Sequence, residues 1–123
     1  MDKLNYDVIV IGAGSTGENV ADRAVKGGLT AAIVESELVG GECSYWACMP
    51  SKALLRPGLA LENARSVMGA REAVTGTLNV PAVFKRRDSV VSNWDDSGQV
   101  EWLGHATIDL VRGHGRGWCC RRG

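Results

Sequence analysis

The residues best suited to chemistry are two cysteines in the stretch GGECSYWACMPSK, residues 40–52. Cys43 and Cys48 lie five positions apart, which is neither a zinc-ligand spacing nor a Cys-x-x-Cys redox pair. On a straight helix, five steps of about 1.5 Å separate two Cα atoms by roughly 7.5 Å along the axis, beyond the disulfide window of about 4.4 to 6.8 Å. A bridge therefore needs an irregular backbone. Gly40 and Gly41 permit unusual dihedrals, and Pro50 cannot donate a hydrogen bond to the Trp46 carbonyl, so the local sequence supplies one. A strained, accessible bridge is more easily reduced than a structural one. Near a helix N-terminus the Cys43 thiol is expected to ionise below its usual value of about 8.5 and to attack as thiolate. Two other readings stay open: a pair of buried, unpaired thiols, or half of a metal site with no matching His or Cys pair nearby. We expect no metal centre.

The second chemical stretch is Gly12-Ala13-Gly14-Ser15-Thr16-Gly17. G-x-G-x-x-G alone is a weak signal, but here an apolar strand precedes it and a helical pattern follows. Glu35 then stands 18 positions after Gly17, near the spacing of about 20 at which an acidic residue meets a ribose. Gly12 makes a tight turn, Gly14 lets backbone approach a pyrophosphate, and Gly17 lets helix and strand pack closely. The helix N-terminus faces the phosphates. A glutamate at position 35 accepts from a ribose 2′-hydroxyl and repels a 2′-phosphate, which favours the adenosine of FAD or NAD over that of NADP.

The elements that must position these groups follow from periodicity. Tyr6 to Ile11 is an almost wholly apolar run that suits a parallel strand buried on both faces. Ser15 to Lys26 reads as a helix with apolar positions 20, 21, 24 and 25, stopped by Gly27-Gly28. Thr30 to Val34 is a second strand, which completes a βαβ unit. After Glu42 the pattern is mostly helical. Pro50 and Pro57 are expected to interrupt it, and Leu61, Ala64, Val67 and Met68 carry helical spacing as far as Gly76. Pro81 opens another helix, with Val83, Phe84, Val90, Val91 and Trp94 on one face and Lys85-Arg86-Arg87 in solvent. A short helix at Gln99 to Leu103 and a strand at Ile108 to Arg112 complete the reading.

Composition excludes several partners. Fourteen basic and fourteen acidic side chains among 123 residues cancel, so no long-range field draws the chain to nucleic acid or to an anionic membrane. The run Val8 to Ile11 is too short for a signal-peptide core or a membrane span, which points to the cytoplasm. In a reducing compartment four cysteines are catalytic or metal-binding rather than structural staples.

Taken together, G-G-x-C-x-x-x-x-C-x-P-S-K behind a βαβ dinucleotide motif and Glu35 resembles the active-site signature of the class I flavoprotein disulfide oxidoreductases. The branch it is most similar to is that of dihydrolipoyl dehydrogenase and mercuric reductase. The resemblance implies an α/β, Rossmann-like FAD-binding domain, left incomplete here, with a parallel sheet and helices. It implies FAD, and NAD(P)H in a complete member, with Gly12, Gly14, Gly17, Glu35, Gly41 and Lys52 as cofactor-binding residues. By the same resemblance Cys43 and Cys48 are the redox disulfide: Cys43 exchanges with substrate, Cys48 faces the flavin as the charge-transfer thiol, and Lys52 lies by the ring. The implied substrate is a small thiol, a disulfide or a metal ion, the implied assembly a homodimer, and the implied role cell redox homeostasis. Ser44-Tyr45-Trp46-Ala47 departs from the family's usual Leu-Asn-Val-Gly, which makes glutathione a poor substrate guess.

The resemblance runs from Tyr6 to about Arg116. A second G-x-G-x-x-G, the later strands of the FAD domain and the dimerisation domain with its His-Glu pair have no counterpart in these 123 residues. His105 and His114 read as surface histidines. Residues 1–116 are expected to form the N-terminal part of the nucleotide-binding domain. The ending GWCCRRG, from 117 to 123, reads as an atypical tail of a truncated or frame-shifted product, its adjacent Cys119 and Cys120 poorly placed to bridge or to hold metal. An alternative class is a non-catalytic nucleotide-binding module with incidental cysteines. A thiol metal-binder is a third.

Overall fold

A computed structural model describes residues 5–117. In chain order its elements are β1 (Val8–Ile11), α1 (Ser15–Lys26), β2 (Ala31–Glu35), α2 (Gly41–Tyr45), α3 (Cys48–Ser66), α4 (Val80–Val90), α5 (Ser97–His105) and β3 (Asp109–Arg112). Short 3-10 turns stand at Arg71–Ala73 and Ser92–Trp94. The chain divides into two compact units, one made of the chain up to Gly41 with Asp96 onward, the other of Glu42–Asp95.

The first unit is a parallel sheet in the order β1-β2-β3, as the βαβ reading requires. Val8 pairs with Ala31 and Ile33 with Leu110, so Val8, Val10, Ala31, Ile33 and Leu110 share one face. That face meets Ala21 of α1 and Leu103 of α5, with Ala13, Val39 and Ile108 closing the core. The expectation that β1 is buried on both faces is corrected here. Ile9 and Ile11, on the other face, are 60% and 58% exposed, because both α1 and α5 join the core on the opposite side.

Both helices of this unit end in the same way, with one instructive difference. After α1, Gly28 takes φ +86°, and the Gly28 and Leu29 N–H groups donate back to Val25 and Ala24. After α5, Thr107 takes φ +56°, and Thr107 and Ile108 donate back to Gly104 and Leu103. Each is a Schellman closure, but a β-branched residue holds the left-handed position in the second. Thr107→Gly is therefore expected to stabilise the fold by about 1 kcal/mol, read as a higher urea midpoint at unchanged slope. A lower midpoint would mean that the Thr107 hydroxyl, which donates to Ala106 O at 2.7 Å, outweighs the backbone strain.

In the second unit α3 packs against α4. Pro50 falls in the first turn of α3, where its missing N–H has no intrahelical partner to lose. Pro57 lies inside the helix and does not end it, contrary to expectation, so one α-carbonyl bond is forgone and the helix runs on to Ser66. It stops there rather than at Gly76, since Val67 turns extended (φ −104°, ψ 123°) and Gly69 follows at φ +88°. Asn79 caps α4 by accepting from Ala82 N at 3.0 Å, with Pro81 in the first turn. Tyr45, Ala53 and Val91 are buried. No helix among the described residues is long and apolar enough to cross a membrane.

Candidate functional site

The glycine loop belongs to the first unit. Gly12 leaves β1 at φ +98° while its N–H donates to Val34 O at 2.8 Å. A Cβ on Gly17 would stand 2.0 Å from the Gly12 carbonyl oxygen and 3.2 Å from Val10 Cγ1, so α1 approaches β1 as closely as only glycine allows. A Cβ on Gly14 would meet no protein atom within 4 Å, which leaves that side of the loop open. Gly14 is the N-cap of α1 and no side chain caps the helix there. Open backbone at the positive end of a twelve-residue helix is suited to a phosphate.

Glu35 closes this loop from β2. Its Oε2 accepts from Ala13 N at 2.6 Å and its Oε1 from Glu37 N at 2.8 Å. Each oxygen keeps a lone pair for a further donor such as a ribose hydroxyl. The chain after β2 then folds back against the loop. Gly40 N donates to Ala13 O at 2.7 Å, and Gly41, at φ +58°, lies so close that its Cβ would come 2.9 Å from Gly14 Cα. Asp96 and Arg112, which the sequence reading did not single out, hold this return. Asp96 Oδ2 accepts from Val39 N at 2.7 Å and from Arg112 Nη2 at 2.6 Å, and Arg112 Nη1 donates to Glu37 O. Separations of 57 and 75 residues leave no local signal for these contacts.

The thiols belong to the second unit. The Trp46 and Ala47 N–H groups both donate to Glu42 O, at 3.0 and 2.7 Å, and Ala47 takes φ −122°, ψ −86°. The helix thus breaks between α2 and α3, so the straight-helix separation does not apply to Cys43 and Cys48. Both are free thiols, Cys43 part-buried and Cys48 exposed, and their side chains hydrogen-bond. The hydrogen bond to Cys48 is the main cause that pushes the Cys43 thiol above its usual range, with partial desolvation and the Cys48 charge adding to it. This corrects the expectation of a lowered value. Cys43 sits in a helix of only five residues, too short to supply the field of a long one, and its nearest polar partner favours the protonated form. Lys52, exposed on α3, acts the other way, its ammonium lowering the Cys43 value. Cys48→Ala should therefore move the pH midpoint of Cys43 alkylation downward, and Lys52→Met upward. Iodoacetamide rates with mass-resolved label at Cys43 check this, and an unmoved midpoint in Cys48→Ala would mean that the thiols do not touch.

An aromatic group accompanies the thiols. Tyr45 turns inward, donating its hydroxyl to Asp95 O at 3.3 Å, whereas Trp46 is 51% exposed. The Trp46 and Trp94 rings lie 6.3 Å apart, tilted by 34°. The Arg87 guanidinium covers Phe84 at 5.1 Å and Trp94 at 5.2 Å, so Arg87 is not the solvated charge that its basic run predicts.

The predicted site residues thus fall into two groups, Gly12, Gly14, Gly17, Glu35 and Gly41 in one unit and Cys43, Cys48 and Lys52 in the other. His105 and His114 are exposed. No cluster of three metal-ligating side chains occurs among the described residues, and Cys119 and Cys120 lie outside them.

Residues 6–112 match the family "Pyridine nucleotide-disulphide oxidoreductase". A dihydrolipoyl dehydrogenase of Bacillus subtilis is 37% identical over 112 residues, covering 90% of this chain and 23% of its own. A mercuric reductase of Lysinibacillus sphaericus is 27% identical over 114 residues, 91% of this chain and 21% of its own. Among solved structures, the HOCl-induced flavoprotein disulfide reductase RclA from Escherichia coli, as its Cu(II) complex, superposes with a TM-score of 0.69 at 23% identity over 91% of this chain and 22% of its own. That likeness shows the α/β fold. The chain spans under a quarter of the length of the relatives named here. Family and relatives imply FAD and NAD(P)H as cofactors. With a family match across nearly all the described residues, this chain belongs to the pyridine nucleotide-disulphide oxidoreductases.

Proposed function

We propose that this chain is the FAD-binding and redox-dithiol segment of an NAD(P)H-linked flavoprotein disulfide oxidoreductase acting on a small disulfide, a dithiol or a metal ion. The observation that carries the reading is the contact between the Cys43 and Cys48 thiols across the α2–α3 break. The helix breaks between the two cysteines, so the axial separation that keeps residues five apart from bridging on a straight helix does not apply to them.

The residues of the first unit fit the adenosine diphosphate half of FAD. Open backbone at Gly14 and the uncapped start of α1 receive the pyrophosphate, and the free lone pairs of Glu35 receive the ribose. Bound FAD supplies two-electron chemistry between nicotinamide and dithiol. Gly41 brings the chain from β2 against this loop, and Lys52 places a positive charge near Cys43.

The dithiol's own chemistry is complete in this chain. The Cys43 thiolate attacks one sulfur of a disulfide, forms a mixed disulfide and releases the first thiolate. Cys48 then attacks Cys43 sulfur, releases the second thiolate and closes the bridge. The substrate gains two electrons, the cysteines lose two, and two protons pass to solvent or to the released thiolates. In this reading Cys43 exchanges with substrate and Cys48 is the partner on the flavin side, and the complete enzyme is a homodimer.

Mild oxidation followed by thiol counting and mass mapping tests the reading. A single Cys43–Cys48 bridge is expected, with Cys119 and Cys120 mapped separately. Finding both thiols free under conditions that oxidise ordinary redox pairs overturns it and favours a nucleotide-binding module with incidental cysteines.

A further inference from the structure

We propose that Trp46 is a specificity-determining residue for this dithiol, its indole forming a flat apolar wall beside Cys43 and Cys48 that favours a disulfide with aromatic substituents over an aliphatic one. The inference rests on the redox reading of the pair given above.

Placement comes first. Trp46 lies in the break itself, two residues before Cys48, so its Cα is within about 7 Å of the Cys48 Cα. Of the two adjacent aromatics, Tyr45 is buried and hydrogen-bonded inward, while Trp46 presents half of its surface to the outside. One ring holds the fold and the other is offered.

The offered ring is also propped. Phe84, Arg87, Trp94 and Trp46 form a continuous stack, with the Arg87 guanidinium against both Phe84 and Trp94 and the tilted Trp46 ring against Trp94. Asp88 Oδ1 accepts from Arg87 Nε at 2.8 Å and from Nη2 at 2.6 Å, which fixes the guanidinium and offsets its charge. A stack neutralised in this way selects for a flat apolar body rather than for an anion.

The backbone beneath the stack is held in an unfavourable form. Ser92, Asn93 and Trp94 have φ of +51°, +53° and +59°, three consecutive left-handed residues with no glycine among them. The Trp94 Nε1 is buried with no hydrogen-bond partner. Strain and an unsatisfied donor at one spot are features that folds keep where a group must be held for use. Here the group held is the ring that braces Trp46.

The test uses the pre-reduced 123-residue chain with Cys119→Ser and Cys120→Ser, in stopped-flow exchange with one equivalent of each of two dianionic disulfides, that of thionitrobenzoate and that of mercaptopropionate. The quantity read is the ratio of the two exchange rates. Both probes then meet only the Cys43–Cys48 pair, so any change in Cys43 ionisation cancels in that ratio. Trp46→Ala and Trp46→Leu should lower the aromatic-to-aliphatic ratio about three- to tenfold, and Trp46→Phe should keep most of it. Trp46→Leu keeps the apolar bulk, so a folding loss in Trp46→Ala leaves the test standing. A ratio unchanged in Trp46→Leu, or lowered equally in Trp46→Phe, overturns the wall. Failure of the underlying redox reading is distinguishable, because a chain with unaltered Trp46 would then release one thiolate or none per disulfide consumed instead of two.

Discussion

Gly17→Ala is expected to cost at least about 3 kcal/mol and to abolish adenine dinucleotide binding. The new methyl would stand 2.0 Å from the Gly12 carbonyl oxygen, 3.1 Å from its carbon and 3.2 Å from Val10 Cγ1. Two of these three are backbone atoms, so no rotamer change relieves the clash. Overpacking a well-formed core typically costs about 1 to 3 kcal/mol, and a backbone collision belongs at or above the upper end. The alternative to that cost is for α1 to slide away from β1. That movement carries the Gly14 N-cap off the loop and opens the Ala21 contact with the core. Urea unfolding and calorimetric titration with FAD and ADP measure the two effects. A loss under about 1 kcal/mol with binding retained would mean that the helix start adjusts freely and that its placement is not what holds a phosphate.

Cys48→Ser is expected to stop disulfide reduction halfway. Cys43 in this variant can still exchange once, which leaves a mixed disulfide and one released thiolate at this site, counted apart from any that Cys119 and Cys120 release. The second release depends on a thiol already held in hydrogen-bond contact with Cys43. Well-oriented intramolecular attack corresponds to effective concentrations on the order of 10⁵ M or more, so replacing it with a bimolecular step at micromolar protein should slow the second release by at least about a thousandfold. Mass mapping must place the trapped adduct on Cys43. Two full equivalents at the wild-type rate would show that another thiol resolves the intermediate and would remove Cys48 from the scheme.

The parts of this protein written in consecutive residues could be read without coordinates. Apolar runs and glycine stops mark β1, α1 and β2 to within two residues, because strand and helix periods and chain breakers are local properties. The tight turn at Gly12 and the close helix–strand approach at Gly17 are legible for the same reason, since a βαβ turn of this size needs a glycine at each. Even the irregular backbone needed at Cys43 and Cys48 could be anticipated from Gly40, Gly41 and Pro50. Contacts between distant residues decided the rest. Whether Cys43 is acidic or not depends on which side chain its sulfur meets, and that partner is Cys48 rather than a long helix end. Arg87 belongs to a basic run in sequence, yet a left-handed turn at Ser92–Trp94 brings a ring beneath it. Asp96 and Arg112 secure the glycine loop's return from far along the chain. The same apolar strand that promised burial on two faces received helices on one. Periodicity reports how much surface a strand seeks to cover, but only the placement of α1 and α5 on the sheet determines which side chains are covered.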